Sequence, residues 1–191
     1  APAPPALAQR TPPLRLPISG RAPPAPLAIR IMNDVLGAGM SSRLFREVRE
    51  RRGLAYSVGS GYGYLADAGV FTISAGVNRD KLRETISVCL EETERLVTET
   101  VPAEELRKAK DHNIGRFRLS LETAFSLGQR HGELLLTKGK IESIEQVVSQ
   151  IEAVTADEVK AVANRVISRG KLHCAVVGPD LDDAEIEAAM A

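Results

Sequence analysis

Residues 36–56 read LGAGMSSRLFREVRERRGLAY, and the order of signals in this stretch decides the fold around it. Gly37 and Gly39 are placed to stop a preceding helix. Ser41 or Ser42 can cap a second helix, which the spacing carries to about Arg52, with Leu44, Phe45 and Val48 as its apolar stripe. Gly53 ends that helix, and Tyr56 begins a strand. Arg49 lies near the helix C-terminus and Tyr56 follows seven residues later, across the turn. That spacing can bring a guanidinium and a phenol to one side of the chain. Together they offer directed donors to a carbonyl oxygen or a developing oxyanion.

Working outward, Leu27, Ile31, Val35 and Leu36 have helical spacing. After the quoted stretch, Tyr56, Val58, Ser60, Tyr62 and Tyr64 alternate with Ala55, Ser57, Gly59, Gly61 and Gly63. One face of this strand therefore has almost no side chains, and another backbone can approach it closely. Residues 66–69 read as a hairpin connection. The return strand places Phe71, Ile73, Ala75 and Val77 on one face.

The rest is mostly helical. A cap is expected near Asn78, and Pro102 opens a helix with the stripe Leu106, Ala109, Asn113, Ile114 and Phe117. A further helix is expected from about Glu122 to Thr137. Ser143 to Gln146 and Thr155 to Glu158 both fit the capping box, so a helix should begin at each. Lys171 to Val177 reads as a last strand. The pattern predicts an α+β domain: a small, mainly antiparallel sheet with helices packed on one face. Only three strands are evident, so either the sheet pairs with something absent or, as expected here, it is incomplete at the N-terminus.

The expected organisation has three parts. Residues 1–26 hold most of the 11 prolines, with Ala and Arg, and are expected to be extended or disordered. Residues 27–179 form the α+β domain, and residues 180–191 an acidic, weakly helical tail. The 25 basic and 25 acidic residues balance, which removes the footprint of a general nucleic-acid binder. No apolar run is long enough to span a membrane, and no secretory signal is visible. If the chain is bacterial, a cytoplasmic or periplasmic location is expected. Cys89 and Cys174 are expected as two buried thiols.

Leu36-Gly37, Ser41-Ser42-Arg43-Leu44-Phe45, Arg49-Glu50 and Gly53-Leu54-Ala55-Tyr56 together resemble the C-terminal domain of the M16 metallopeptidases, the group of pitrilysin and the mitochondrial processing peptidases. The strand pair and the helix with Glu105-Leu106 and Ala109-Lys110 extend the resemblance over roughly Leu27 to Val177. It implies one half of a clam-shell around a peptide. In that family the first half carries an H-x-x-E-H zinc motif, and the second holds the substrate with an arginine and a tyrosine. The matching positions are Arg49 and Tyr56. Ser41, Ser42 and Arg43 in the same string, and Tyr62 on the next strand, are expected as further substrate contacts. The sheet edge is expected to accept a peptide strand.

The departures also carry information. His112, His131 and His173 do not have the spacing of H-x-x-E-H, so no zinc is expected on this chain. Surface placement is expected for His112, and burial with a hydrogen-bond partner for His173. The resemblance implies a strand before Leu27, where this chain is Pro-Ala-Arg-rich. A truncated domain is therefore expected, with residues 1–26 reading as a frameshift or a wrong start. Two functions follow. In one, the chain is the substrate-binding half of a zinc endopeptidase, its partner being an H-x-x-E-H-bearing domain or subunit and its ligand a peptide. In the other, it is a non-catalytic binding or structural subunit of an M16-type assembly.

Overall fold

The computed structural model describes residues 13–19, 26–64, 68–167, 172–178 and 183–190. Helix α1, Pro26–Leu36, begins at a proline, whose fixed φ and missing N–H suit a first helical position. It is the centre of the core: Ile29, Ile31, Met32, Val35 and Leu36 are at most 2% exposed. Strand β2, Ala55–Tyr64, and strand β3, Ala68–Val77, pair antiparallel as the alternation predicts. Phe71, Ile73 and Ala75 turn their side chains into the core.

The sheet corrects the N-terminal expectation. Pro13–Ser19, inside the segment expected to be extended or disordered, is strand β1. It pairs antiparallel with β3 from Pro13 opposite Ser74 to Ser19 opposite Ala68. It also pairs with β4, His173–Cys174, giving the order β2-β3-β1-β4. The strand that the three-strand reading lacked is thus a central one. Prolines misled the reading because they cannot donate to a ladder, yet their φ is compatible with an extended chain. β4 is shorter than expected among the described residues, and His173 is exposed rather than buried. The hairpin connection at 66–69 lies partly outside the described residues.

The helices cover one face of the sheet. A short 3₁₀ turn at Arg79–Lys81 precedes α2, Leu82–Thr98, without a side-chain cap from Asn78. α3, Ala103–Leu119, follows Pro102 and buries Ala109 and Asn113. α4, Ala124–Lys138, is capped by the Thr123 hydroxyl, which accepts from Ser126 N–H at 3.1 Å. None of its residues is buried among those described. α5, Ile144–Ala153, and α6, Ala156–Val166, begin at the two expected capping boxes, and both are formed reciprocally. α7, Asp183–Met190, lies in the expected acidic tail and packs against α2.

Candidate functional site

Residues 36–56 fold as a tight loop, a wide helical turn and a strand start. The loop after α1 is pressed against β2. Ser60 N–H donates to Gly37 O at 3.2 Å, and a Cβ on Gly37 would stand 2.4 Å from Ser60 N. Glycine is required there for contact, which is the close backbone approach expected of this strand. The approach occurs along the strand edge, so that edge is already occupied at Ser60 and is not open along its length to a peptide strand.

The capping expectation for Ser42 is corrected. Its hydroxyl turns back and donates to Gly39 O at 2.6 Å, closing the loop. The following segment, Phe45–Arg51, winds as a π-helix without a side-chain cap. Such wide turns are uncommon and recur at functional sites. Leu44 and Val48 are fully buried and anchor it. Gly53, at φ +59°, reverses the chain, and Leu54 N–H closes onto Val48 O at 2.8 Å.

The strand then opens with a bulge. Ala55 pairs with Val77 and Ser57 with Gly76, so Tyr56 is the extra residue between consecutive partners. The bulge turns the Tyr56 ring out, and it is 72% exposed. The Arg49 guanidinium carbon sits 5.6 Å from the centre of that ring and 4.9 Å from the centre of the Phe45 ring. Arg49 is exposed and has no carboxylate partner among the described residues. Its neighbours differ: Arg51 pairs with Glu47 at 2.7 Å, and Arg52 approaches Glu91 at 3.8 Å. The structure therefore brings Arg49 and Tyr56 together, with donors facing solvent and the arginine's orientation set by two aromatic faces.

The other expected contact residues separate. Arg43 is buried and makes a bidentate pair with Glu105: Nε donates to Oε1 at 2.9 Å and Nη2 to Oε2 at 2.7 Å. With Ser42 also buried, both side chains are committed inside the domain: Ser42 closes its own loop, and Arg43 fixes the helical segment to the start of α3. Ser41 is exposed and lines a cleft of about 550 Å³ with Arg43, Arg46, Lys108 and Glu104. Tyr62 is half-buried and lines a second cleft, of about 660 Å³, between α1, α3 and β2. Burial raises its phenol pKa above the usual value.

Both clefts meet at Asp34, Ala38 and His112, a junction that sequence reasoning did not single out. Asp34 is buried; Asn113 Nδ2 donates to its Oδ2 at 2.7 Å, and His112 Nδ1 lies 3.5 Å from its Oδ1. Burial raises the Asp34 pKa, against the lowering influence of Asn113, His112, Arg116 and Arg30. Asn113 Oδ1 is buried without a hydrogen-bond partner among the described residues. The signal was present, since Asp34 and Asn113 interrupt apolar helical stripes.

His112, His131 and His173 stand on α3, α4 and β4. Among the described residues, no group of three His, Cys, Asp or Glu side chains is placed to hold a metal ion. No helix among them is long and apolar enough to cross a membrane.

The sequence model of the peptidase M16 inactive domain matches residues 5–113, beginning inside the segment expected to fall outside the resemblance. An uncharacterized zinc protease of Streptomyces coelicolor is 37% identical over 152 residues, which are 80% of this chain and 33% of that protein. Another, of Mycobacterium tuberculosis, is 39% identical over 152 residues, again 80% of this chain and 34% of that protein. The chain thus spans about a third of the length of the curated relatives it matches. Among solved structures, a peptidase M16 inactive domain from Pseudomonas fluorescens superposes with a TM-score of 0.74 at 24% identity. That match covers 86% of this chain and 40% of the other and establishes the shared fold.

Proposed function

The chain belongs to the peptidase M16 inactive-domain family, and from that premise we propose that it is the substrate-gripping half of a zinc endopeptidase. Arg49 and Tyr56 contact the main chain of a bound peptide. The observation that carries this reading is the Arg49 guanidinium, held against the Phe45 and Tyr56 rings without a carboxylate among the described residues to neutralise it. A cation so placed can donate to a peptide carbonyl without first leaving an ion pair. The Tyr56 hydroxyl supplies a second donor of different reach.

Zinc and the general base are assigned to a separate H-x-x-E-H-bearing half. Ser41 and Tyr62 remain candidates for further peptide contact, because each lines an open cleft. Ser42 and Arg43 do not enter the reading, since their polar groups hold the loop and the helix together.

The test mixes the purified chain with an H-x-x-E-H-bearing M16 subunit and zinc and follows cleavage of a fluorogenic peptide. Cleavage should require both proteins and should fall about a hundredfold with Arg49→Ala. Turnover indifferent to Arg49→Ala and to Tyr56→Phe would remove the catalytic reading. A stable complex whose turnover ignores both changes would instead identify a non-catalytic subunit.

A further inference from the structure

The cleft between α1, α3 and β2 has a charge pattern that the grip at Arg49 and Tyr56 does not use. Its charged and titratable lining comes from three elements: Arg30 and Asp34 on α1, His112 and Arg116 on α3, and Tyr62 on β2. Two guanidiniums thus face a single carboxylate. That carboxylate is already committed, with Oδ2 accepting from Asn113 and Oδ1 facing His112. Neither Arg30 nor Arg116 has a side-chain hydrogen bond or ion pair among the described residues. Both lie close enough to act on the same two groups, the Asp34 carboxyl and the Tyr62 phenol. A polar cleft with two uncommitted forked donors and a net positive lining suits an anion with two equivalent oxygens.

We propose that this cleft is a carboxylate pocket that receives the C-terminal end of a bound peptide, with Arg30 and Arg116 holding the two oxygens. The inference rests on the peptide-gripping reading. It also fits the position of Tyr62, six residues beyond Tyr56 on β2, a separation of about 20 Å that roughly six extended residues span. A peptide held at Arg49 and Tyr56 has the length to reach the cleft with its last residues, provided it leaves the β2 edge before Ser60, where the Gly37 loop already sits. The adjoining cleft is a poorer receptor for an anion, because three of its four cations are already paired with carboxylates, Arg43 with Glu105, Arg95 with Glu92 and Lys108 with Glu104.

The test uses the full chain and three N-terminally labelled peptides of one neutral sequence: the free acid, the C-terminal amide, and the amide with glutamate as its last residue. Fluorescence anisotropy reads the affinity. The free acid should bind about tenfold more tightly than the plain amide. Arg116→Gln, at an exposed position, should abolish that difference without changing amide binding, and Arg30→Gln should do the same if the variant stays folded. The glutamate amide separates the two sources of a carboxylate: binding like the plain amide supports the chain terminus. Binding as tight as the free acid overturns the chain-terminal assignment in favour of a side chain. Equal binding of all three peptides, with Arg49→Ala weakening each, overturns the pocket and leaves the grip standing. Absence of any peptide binding overturns both.

Discussion

Arg49 and Tyr56 face each other across the turn at Gly53, the guanidinium carbon 5.6 Å from the centre of the phenol ring. The contact holds because the π-helical segment ends at a left-handed glycine and β2 begins with a bulge at Tyr56. Both side chains are exposed, so their removal should cost the fold little, within about 0.5 kcal/mol. Tyr56→Phe keeps the stacking face and deletes the hydroxyl, whereas Arg49→Ala deletes the cation. Thermal midpoints of both variants should match the parent while peptide affinity falls, more for Arg49→Ala. A lowered midpoint that tracks the affinity loss would assign the pair to stability instead.

Arg43 should behave in the opposite way, although it lies in the same basic string. Its side chain is 6% exposed and its fork is matched to Glu105. Glu105→Ala would strand a buried cation, and urea unfolding should show a loss of about 3 kcal/mol. Arg43→Lys cannot restore the bidentate geometry and should also destabilise. If both variants unfold like the parent, the pair does not fix the segment to α3.

These two arginines show what the sequence revealed and what it concealed. The string fixed the order of helix, glycine turn and strand, and it placed Arg49 opposite Tyr56, because local signals set each of those features. It could not tell Arg43 from Arg49, since the partner of Arg43 stands 62 residues away on α3. The capping boxes at Ser143 and Thr155 were legible because each is closed within four residues. β1 was not, because its pairing with β3 and β4 joins distant segments. Asp34 was legible only as an interruption of an apolar stripe, because its meaning depends on His112 and Asn113, far along the chain.

Gly37 sets how closely the loop after α1 approaches β2. An added methyl would meet Ser60 N at 2.4 Å and Ser60 Oγ at 2.6 Å, and the first of these is backbone, which cannot rotate away. Gly37→Ala should therefore destabilise by about 1–3 kcal/mol and displace the loop. Gly115 is the control: it lies inside α3, and an added Cβ meets nothing within 4 Å. Gly115→Ala should gain about 1 kcal/mol through helix propensity. Urea midpoints that shift in the same direction for both variants would contradict the contact argument.

Asp34 gives the domain a pH dependence whose sign follows from burial. Its folded pKa is raised above the ordinary value of 3.8, with desolvation as the largest cause. Between the unfolded and folded values, the native state binds more protons than the unfolded state. The contribution of Asp34 to stability is therefore fully present below the unfolded pKa and is lost as pH rises through the folded one. Asp34→Asn keeps an acceptor for Asn113 Nδ2 and removes the cost of burying a charge. The stability of the variant relative to the parent should thus improve from about pH 4 toward neutrality, read as paired thermal midpoints across that range. A difference that stays constant with pH would mean that Asp34 ionises as easily in the fold as outside it, and one that worsens would mean that its neighbours hold it charged.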